Sequence, residues 1–136
     1  MILRDRQALL DAVALYFAKR DDIRLVLVFG SVASGRFTDS SDVDIAIAGD
    51  GALSYDQKAN LRVELSELLG RSIDLVDLIT AEGLIQHEAL VHGVRVKLDR
   101  NLYVRLHTRM LVDREDFWPL KREMQAARIR RFCDGS

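Results

Sequence analysis

The chain has 136 residues, 49% hydrophobic and 30% charged, the balance of a single soluble globular domain rather than of a disordered or membrane-spanning chain. A length of this order buries a core without disulfide or metal staples, and a second catalytic domain does not fit in it. The formal net charge of -1 gives no whole-chain electrostatic reason to expect direct nucleic-acid binding.

Leu9, Leu10, Val13 and Phe17 recur at helical spacing and predict an amphipathic helix near residues 3–20, closed by Asp21 and Asp22. Arg4, Asp5, Arg6 and Asp11 interrupt the same stretch, so it has no continuous apolar signal-peptide core. No segment approaches the roughly 20 apolar residues of a membrane span, and a cytoplasmic protein is expected. Residues 25–29 form a continuous apolar run that stops on Gly30 and Ser31, the pattern of a strand buried on both faces. Residues 34–41, rich in Ser, Gly, Thr and Asp, read as a loop or short helical turn, and a second strand follows over 42–48.

Ser54 and Gln57 have the spacing of a capping box, Leu61, Leu65, Leu68 and Leu69 share one helical face, and Gly70 is a stop signal. A helix over 54–69 follows, then a third strand over 72–79. Thr80 is the expected cap of a helix that runs to about His92 and stops at Gly93. Val94, Val96 and Leu98 alternate with Arg95 and Lys97, as in a half-exposed edge strand.

The tail is expected to be helical, with a break at Pro119, because proline removes a backbone donor. Residues 100–136 hold 9 Arg or Lys against 5 Asp or Glu, so the tail is basic and the rest of the chain acidic. Such a tail suits an acidic partner or a solvated Arg-rich helix face equally. Phe117, Trp118, Leu120 and Met124 are expected to pack it against the domain or a partner. Cys133 is the only cysteine, which excludes an internal disulfide and a cysteine-based zinc site. The elements together predict an α/β fold, a small mixed sheet with helices, with residues 1–99 as the domain and 100–136 as a helical tail.

One constellation points to chemistry. Gly30 and Ser31 are followed by ten residues and then by Asp42, Val43 and Asp44. Residues two apart in a strand share a face, so Asp42 and Asp44 present paired carboxylates while Val43 and Ile45 enter the core. Two such carboxylates repel unless a cation lies between them, and hard oxygen ligands of this kind suit Mg²⁺ completed by substrate phosphates. Gly30 allows close backbone approach to a phosphate, and Ser31 adds a hydroxyl and an amide. Asp74 follows one strand-helix-strand crossover later; parallel strands begin at the same end of a sheet, which brings Asp74 to the pair. Asp42 and Asp44 are the expected metal ligands, and Asp74 the shared ligand or general base of an in-line displacement at phosphorus. Asp77 should point to the opposite face. His87 and His92 lack the i, i+4 spacing of a metal pair and are expected at the surface, and Tyr55 and Tyr103 show no role.

These motifs resemble the minimal nucleotidyltransferases of the DNA polymerase beta superfamily, whose signature is Gly-Ser, ten residues, Asp-x-Asp and a later aspartate. The likeness covers roughly residues 23–98, and the segment around Asp77 resembles the MntA-type antitoxins of HEPN/MNT toxin-antitoxin pairs. The resemblance implies a polymerase beta palm-like fold and transfer of AMP from ATP to a tyrosine of a partner HEPN ribonuclease. It assigns Gly30 and Ser31 to the triphosphate, Asp42 and Asp44 to Mg²⁺, and Asp74 to activation of the acceptor. Many relatives have Arg where this chain has Ser34; Arg36 is either a substitute phosphate contact or a solvated loop residue. Two other readings share the sequence features: an aminoglycoside-type small-molecule nucleotidyltransferase, and a non-catalytic module that masks a partner.

Overall fold

The computed structural model describes residues 5–113. Asp5 starts the first helix, α1 (Arg6–Ala18), by accepting the Ala8 amide at 3.1 Å, and Leu9, Leu10, Val13 and Phe17 form its buried face. The apolar run that follows is β1 (Ile23–Phe29), which begins at Ile23, earlier than the run alone suggested. Gly30, at φ 73°, then turns the chain into a single helical turn, α2 (Ser31–Ser34). β2 (Val43–Gly49) is buried along its whole length.

α3 (Tyr55–Leu69) has the Ser54–Gln57 capping box in both directions and ends on Gly70 in the left-handed conformation. Leu61, Leu65 and Leu69 are buried, but Leu68, expected beside them, is 46% exposed. The buried row steps by four residues and so drifts round the helix, which leaves Leu68 on its trailing edge.

After β3 (Ile73–Asp77) the chain departs from expectation. The Asp77 carbonyl accepts the Thr80 amide at 3.2 Å, the Ala81 amide at 2.9 Å and the Thr80 hydroxyl at 3.3 Å, so Thr80 serves a turn and not a helix cap. The helix α4 (Gly83–His87) begins after Glu82 and runs straight into one π-helical turn, Glu88–His92, before Gly93. β4 (Val94–Lys97) follows, and Asp99 caps a last helix, α5 (100–113), by accepting the Leu102 amide at 3.1 Å.

The sheet order is β3-β2-β1-β4; β1 runs antiparallel to both β2 and β4, and β2 and β3 are parallel. This is the expected small mixed sheet. α3 is the crossover between the parallel pair, and β4 lies at an edge with partly exposed side chains, as its alternation implied. Each face of the sheet has its own core. Val26, Val28, Val43, Ile45, Ile47, Ile73 and Leu75 meet α1 and α3 on one side. Leu25, Leu27, Phe29, Ala46 and Ala48 meet Leu90 of the π turn and Leu102, Leu106 and Met110 of α5 on the other. Burial on both faces is why β1 and β2 are nearly continuous apolar runs.

Two cations close the frame. A register shift in β4 turns Lys97, expected on an exposed face, towards α1, where Nζ donates to the carbonyls of Phe17 and Arg20 at 2.9 Å each. Arg109 donates to the carbonyls of Leu78 at 2.7 Å and Ile79 at 2.8 Å, tying α5 to the turn after β3. Tyr103 also has a part: its hydroxyl donates to the Leu90 carbonyl at 2.7 Å. Among the described residues no helix is long and apolar enough to cross a membrane. The expectations for Phe117, Trp118, Pro119, Leu120, Met124 and Cys133 lie outside the described residues.

Candidate active site

The parallel register of β2 and β3 sets Asp44 directly beside Asp74. Val43, Ile45, Ile73 and Leu75 enter the first core, so strand alternation sends both aspartates to the opposite face. Asp42 precedes β2 by one residue and is exposed, and Asp74 is exposed as well. The structure thus brings the two aspartates of adjacent strands together, with Asp42 just outside the ladder that was expected to contain it.

The antiparallel partner of Asp44 on its other side is Phe29, which delivers the Gly30 turn to the same spot. A methyl group built on Gly30 would overlap the Asp44 Oδ2 oxygen and stand 3.1 Å from Cγ. Glycine is therefore needed twice over: for its positive φ, and for the space that the carboxylate occupies. Next to it, the Ser31 hydroxyl oxygen is buried and has no hydrogen-bond partner among the described residues. A buried hydroxyl left so is costly unless something else meets it, which fits a ligand against this turn.

Asp44 is only 3% exposed. Burial, then the negative charges of Asp74 and Asp42, then a side-chain hydrogen bond with Asp74, push its carboxyl up to about 7. A carboxylate so reluctant to ionise is one whose charge lacks a counterion. The paired acidic side chains of Asp44 and Asp74, with the charge of Asp42 near them, therefore suit a hard divalent cation completed by other oxygens. Among the described residues no three acidic, imidazole or thiol groups come together closely enough to hold a metal ion by themselves. Mg²⁺ normally takes one or two carboxylates and draws its remaining oxygens from water and phosphate.

Residues without a motif hold the turn and the loop in place. Arg6 of α1 donates Nε to the Val32 carbonyl at 3.0 Å, pinning α2 to the first helix. Arg71, 5% exposed, donates Nη1 to the carbonyls of Thr38 at 2.6 Å and Ser41 at 3.1 Å, just ahead of Asp42. Neither arginine stood out in the sequence, because a long-range contact to a carbonyl leaves no periodicity. Arg36 is exposed, and its backbone amide closes α2 by donating to the Ser31 carbonyl at 3.0 Å.

Asp77 points to the opposite face, as expected. Its carboxylate accepts the Leu53 amide at 2.8 Å and the Ile79 amide at 2.9 Å, so it fastens two loops. His92 is exposed but His87 is only partly so, and their rings meet edge to face with centroids 5.9 Å apart. The five-residue spacing that separates side chains on an α-helix aligns them on a π turn.

The sequence profile of the family described as "Polymerase beta, Nucleotidyltransferase" matches residues 12–101, well over half of the chain. The chain belongs to that family. The protein adenylyltransferase MntA of Shewanella oneidensis is 31% identical over 77 residues, or 54% of this chain and 55% of that protein. The chain thus matches about half the length of this curated relative. A toxin-antitoxin crystal structure with AMP-PNP superposes at a TM-score of 0.69 and 22% identity, covering 86% of this chain and 94% of that one. The complex of a tri-AMPylated Shewanella oneidensis HEPN toxin with MNT antitoxin gives 0.66 at 17% identity, covering 89% and 99%. Identities this low speak for the fold: a polymerase beta nucleotidyltransferase sheet with Asp44 and Asp74 abreast on one face.

Proposed function

We propose that this chain is an antitoxin-type protein adenylyltransferase that transfers AMP from ATP to a tyrosine hydroxyl of a partner HEPN-type ribonuclease toxin and so neutralises it. The lateral pairing of Asp44 with Asp74, with Gly30 turned against Asp44, is the observation that carries this reading. Family membership supports the reaction type, and the fold shared with an MNT antitoxin supports the kind of partner. In this reading residues 1–99 carry the catalysis and α5 completes the second core of the sheet; the expectation of a helical tail lies, beyond residue 113, outside the described residues. The reaction belongs in the cytoplasm, where ATP and RNA coexist.

Gly30 and Ser31 take the triphosphate: the Gly30 turn carries Ser31 beside Asp44, and the buried Ser31 hydroxyl gains the partner it lacks. Asp42, Asp44 and Asp74 would hold Mg²⁺, which when bound supplies charge neutralisation for the phosphates. Asp74, exposed beside buried Asp44, is the group an incoming hydroxyl can reach. The tyrosine oxygen bonds to the α-phosphorus, and the bond from phosphorus to the α-β bridging oxygen breaks. Pyrophosphate leaves, and the phenolic proton passes to the Asp74 carboxylate.

The test offers ATP labelled in its α-phosphate, with Mg²⁺, to a HEPN-type partner and in parallel to aminoglycosides. Label on a partner tyrosine, lost in the Asp42→Asn/Asp44→Asn double variant, is expected. Label on the small molecules alone would refute a protein acceptor, and full neutralisation by the double variant would favour simple masking.

A further inference from the structure

Arg71 is 5% exposed, and arginine is almost never buried to that degree unless its charge is matched by hydrogen bonds. Three of its contacts fall in one short segment. Nη1 donates to the carbonyls of Thr38 and Ser41, and the guanidinium carbon lies 5.2 Å from the centre of the Phe37 ring. That segment is itself closed: the Thr38 amide donates to the Ser41 hydroxyl at 2.8 Å, and the Ser41 amide to the Thr38 carbonyl at 3.1 Å. The guanidinium therefore grips a preformed turn, and the Ser41 carbonyl it holds belongs to the peptide bond that leads into Asp42.

On its own side, Arg71 stands between Gly70, where α3 stops, and Ser72, whose carbonyl accepts the Val43 amide at 2.9 Å. Asp74 follows three residues later, the second residue of β3. Asp44 needs no such brace, because ladder pairing to Phe29 and Asp74 fixes it from both sides. Asp42 lies outside that ladder and is exposed. We propose that Arg71 is a positioning residue for Asp42, spanning from the start of β3 to the turn before β2 so that the Asp42 carboxylate is held at a set place relative to Asp74. Its purpose rests on the reading of Asp42 as a cation and nucleotide ligand, but the brace itself is measurable without it.

The test compares the full chain with Arg71→Lys, Arg71→Met, Asp42→Asn and the Arg71→Met/Asp42→Asn pair. Two readouts are taken: amide hydrogen exchange along residues 38–47, and Mn²⁺ affinity from the electron paramagnetic resonance of free Mn²⁺ with a non-hydrolysable ATP analogue present. Arg71→Met is expected to speed exchange at 38–42 by at least about tenfold and to leave 45–47 as in the wild type. It should weaken Mn²⁺ binding by roughly 10- to 100-fold, the usual cost of releasing a ligand from its support. In the Asp42→Asn background the same change should cost less than about twofold, because its effect runs through Asp42. Arg71→Lys should fold and fall between, since an ammonium donates to carbonyls but cannot lie flat on Phe37.

Unchanged exchange at 38–42 in either Arg71 variant, or an undiminished loss of affinity in the Asp42→Asn background, would overturn the proposal. Should Arg71→Met fail to fold, the segment-specific exchange of Arg71→Lys decides. Absence of Mn²⁺ binding by the wild-type chain would overturn the ligand role of Asp42 itself, a failure that the exchange data keep distinct from failure of the brace.

Discussion

Gly30 and Asp44 share one space: the hydrogen on the Gly30 Cα faces the Asp44 carboxylate so closely that a methyl in its place would overlap Oδ2. Gly30→Ala must both adopt φ 73° and displace that carboxylate. The backbone strain alone costs about 1–3 kcal/mol, and a misplaced catalytic carboxylate lowers transfer by roughly 100-fold. In an Asp44→Ala background the overlap vanishes and only the strain remains, so the stability penalty should shrink. Urea denaturation of the four chains measures this, and an equal penalty in both backgrounds would mean that the two residues do not collide.

Asp44 makes the fold pH-sensitive in an unusual direction. Its carboxyl is pushed up to about 7 by burial and by Asp74 and Asp42, so between the ordinary carboxylate range and 7 the folded chain binds more protons than the unfolded one. This contribution therefore falls as pH rises through that window. Asp44→Asn carries no such charge. Its stability relative to the wild type should grow by about 1–3 kcal/mol between pH 5 and pH 8, even as transfer is lost. Thermal melts of both chains at the two pH values give the difference, and a constant gap would show that Asp44 ionises freely.

The same group couples cation binding to protons. Below about 7 a divalent ion must displace the Asp44 proton, so affinity for the metal-nucleotide complex should rise by up to roughly tenfold per pH unit and then level off. Calorimetry at pH 6 in buffers of contrasting ionisation enthalpy should show proton release that disappears at pH 8.5. Buffer-independent heats at pH 6 would contradict the clustered carboxylates as ligands.

Asp74 and Asp77 sit three residues apart in one strand and should behave in opposite ways. Asp77→Ala frees the amides of Leu53 and Ile79 and is expected to cost about 1–3 kcal/mol of stability. Transfer per folded molecule should stay near normal. Asp74→Ala should keep the fold and lose transfer. Loss of transfer in a well-folded Asp77 variant would reassign the acceptor-activating role.

Arg109 offers a stability test remote from the carboxylates. Its guanidinium bonds to the carbonyls of Leu78 and Ile79, so Arg109→Ala should cost about 1.5–3 kcal/mol, the worth of charge-assisted bonds. Metal-nucleotide affinity should not change at temperatures where the chain is folded. A selective loss of affinity would link α5 to the site.

Residues whose neighbours in space are also neighbours in sequence could be read directly. Leu9, Val13 and Phe17 marked α1, the Ser54–Gln57 box and Gly70 bounded α3, and the crossover length implied parallel β2 and β3 with Asp44 and Asp74 on one face. Such features are set by backbone periodicity and local hydrogen bonds, which repeat at fixed intervals along the chain. The errors fell where a turn, a π-helical turn or a tertiary contact overrode the expected local pattern. Thr80 turned to the Asp77 carbonyl instead of capping a helix, the shift in β4 swung Lys97 onto the end of α1, and the π turn joined His87 to His92.

By itself, then, the sequence determined the order of the strands and main helices and the sidedness that sets Asp44 beside Asp74. Only the tertiary structure decided that Gly30 abuts Asp44, that Asp44 holds its proton to about 7, and that Arg71 grips the turn before Asp42. Proton affinity depends on buried volume and on charges in three dimensions, and a brace depends on a reach across 30 residues. Neither has a period along the chain.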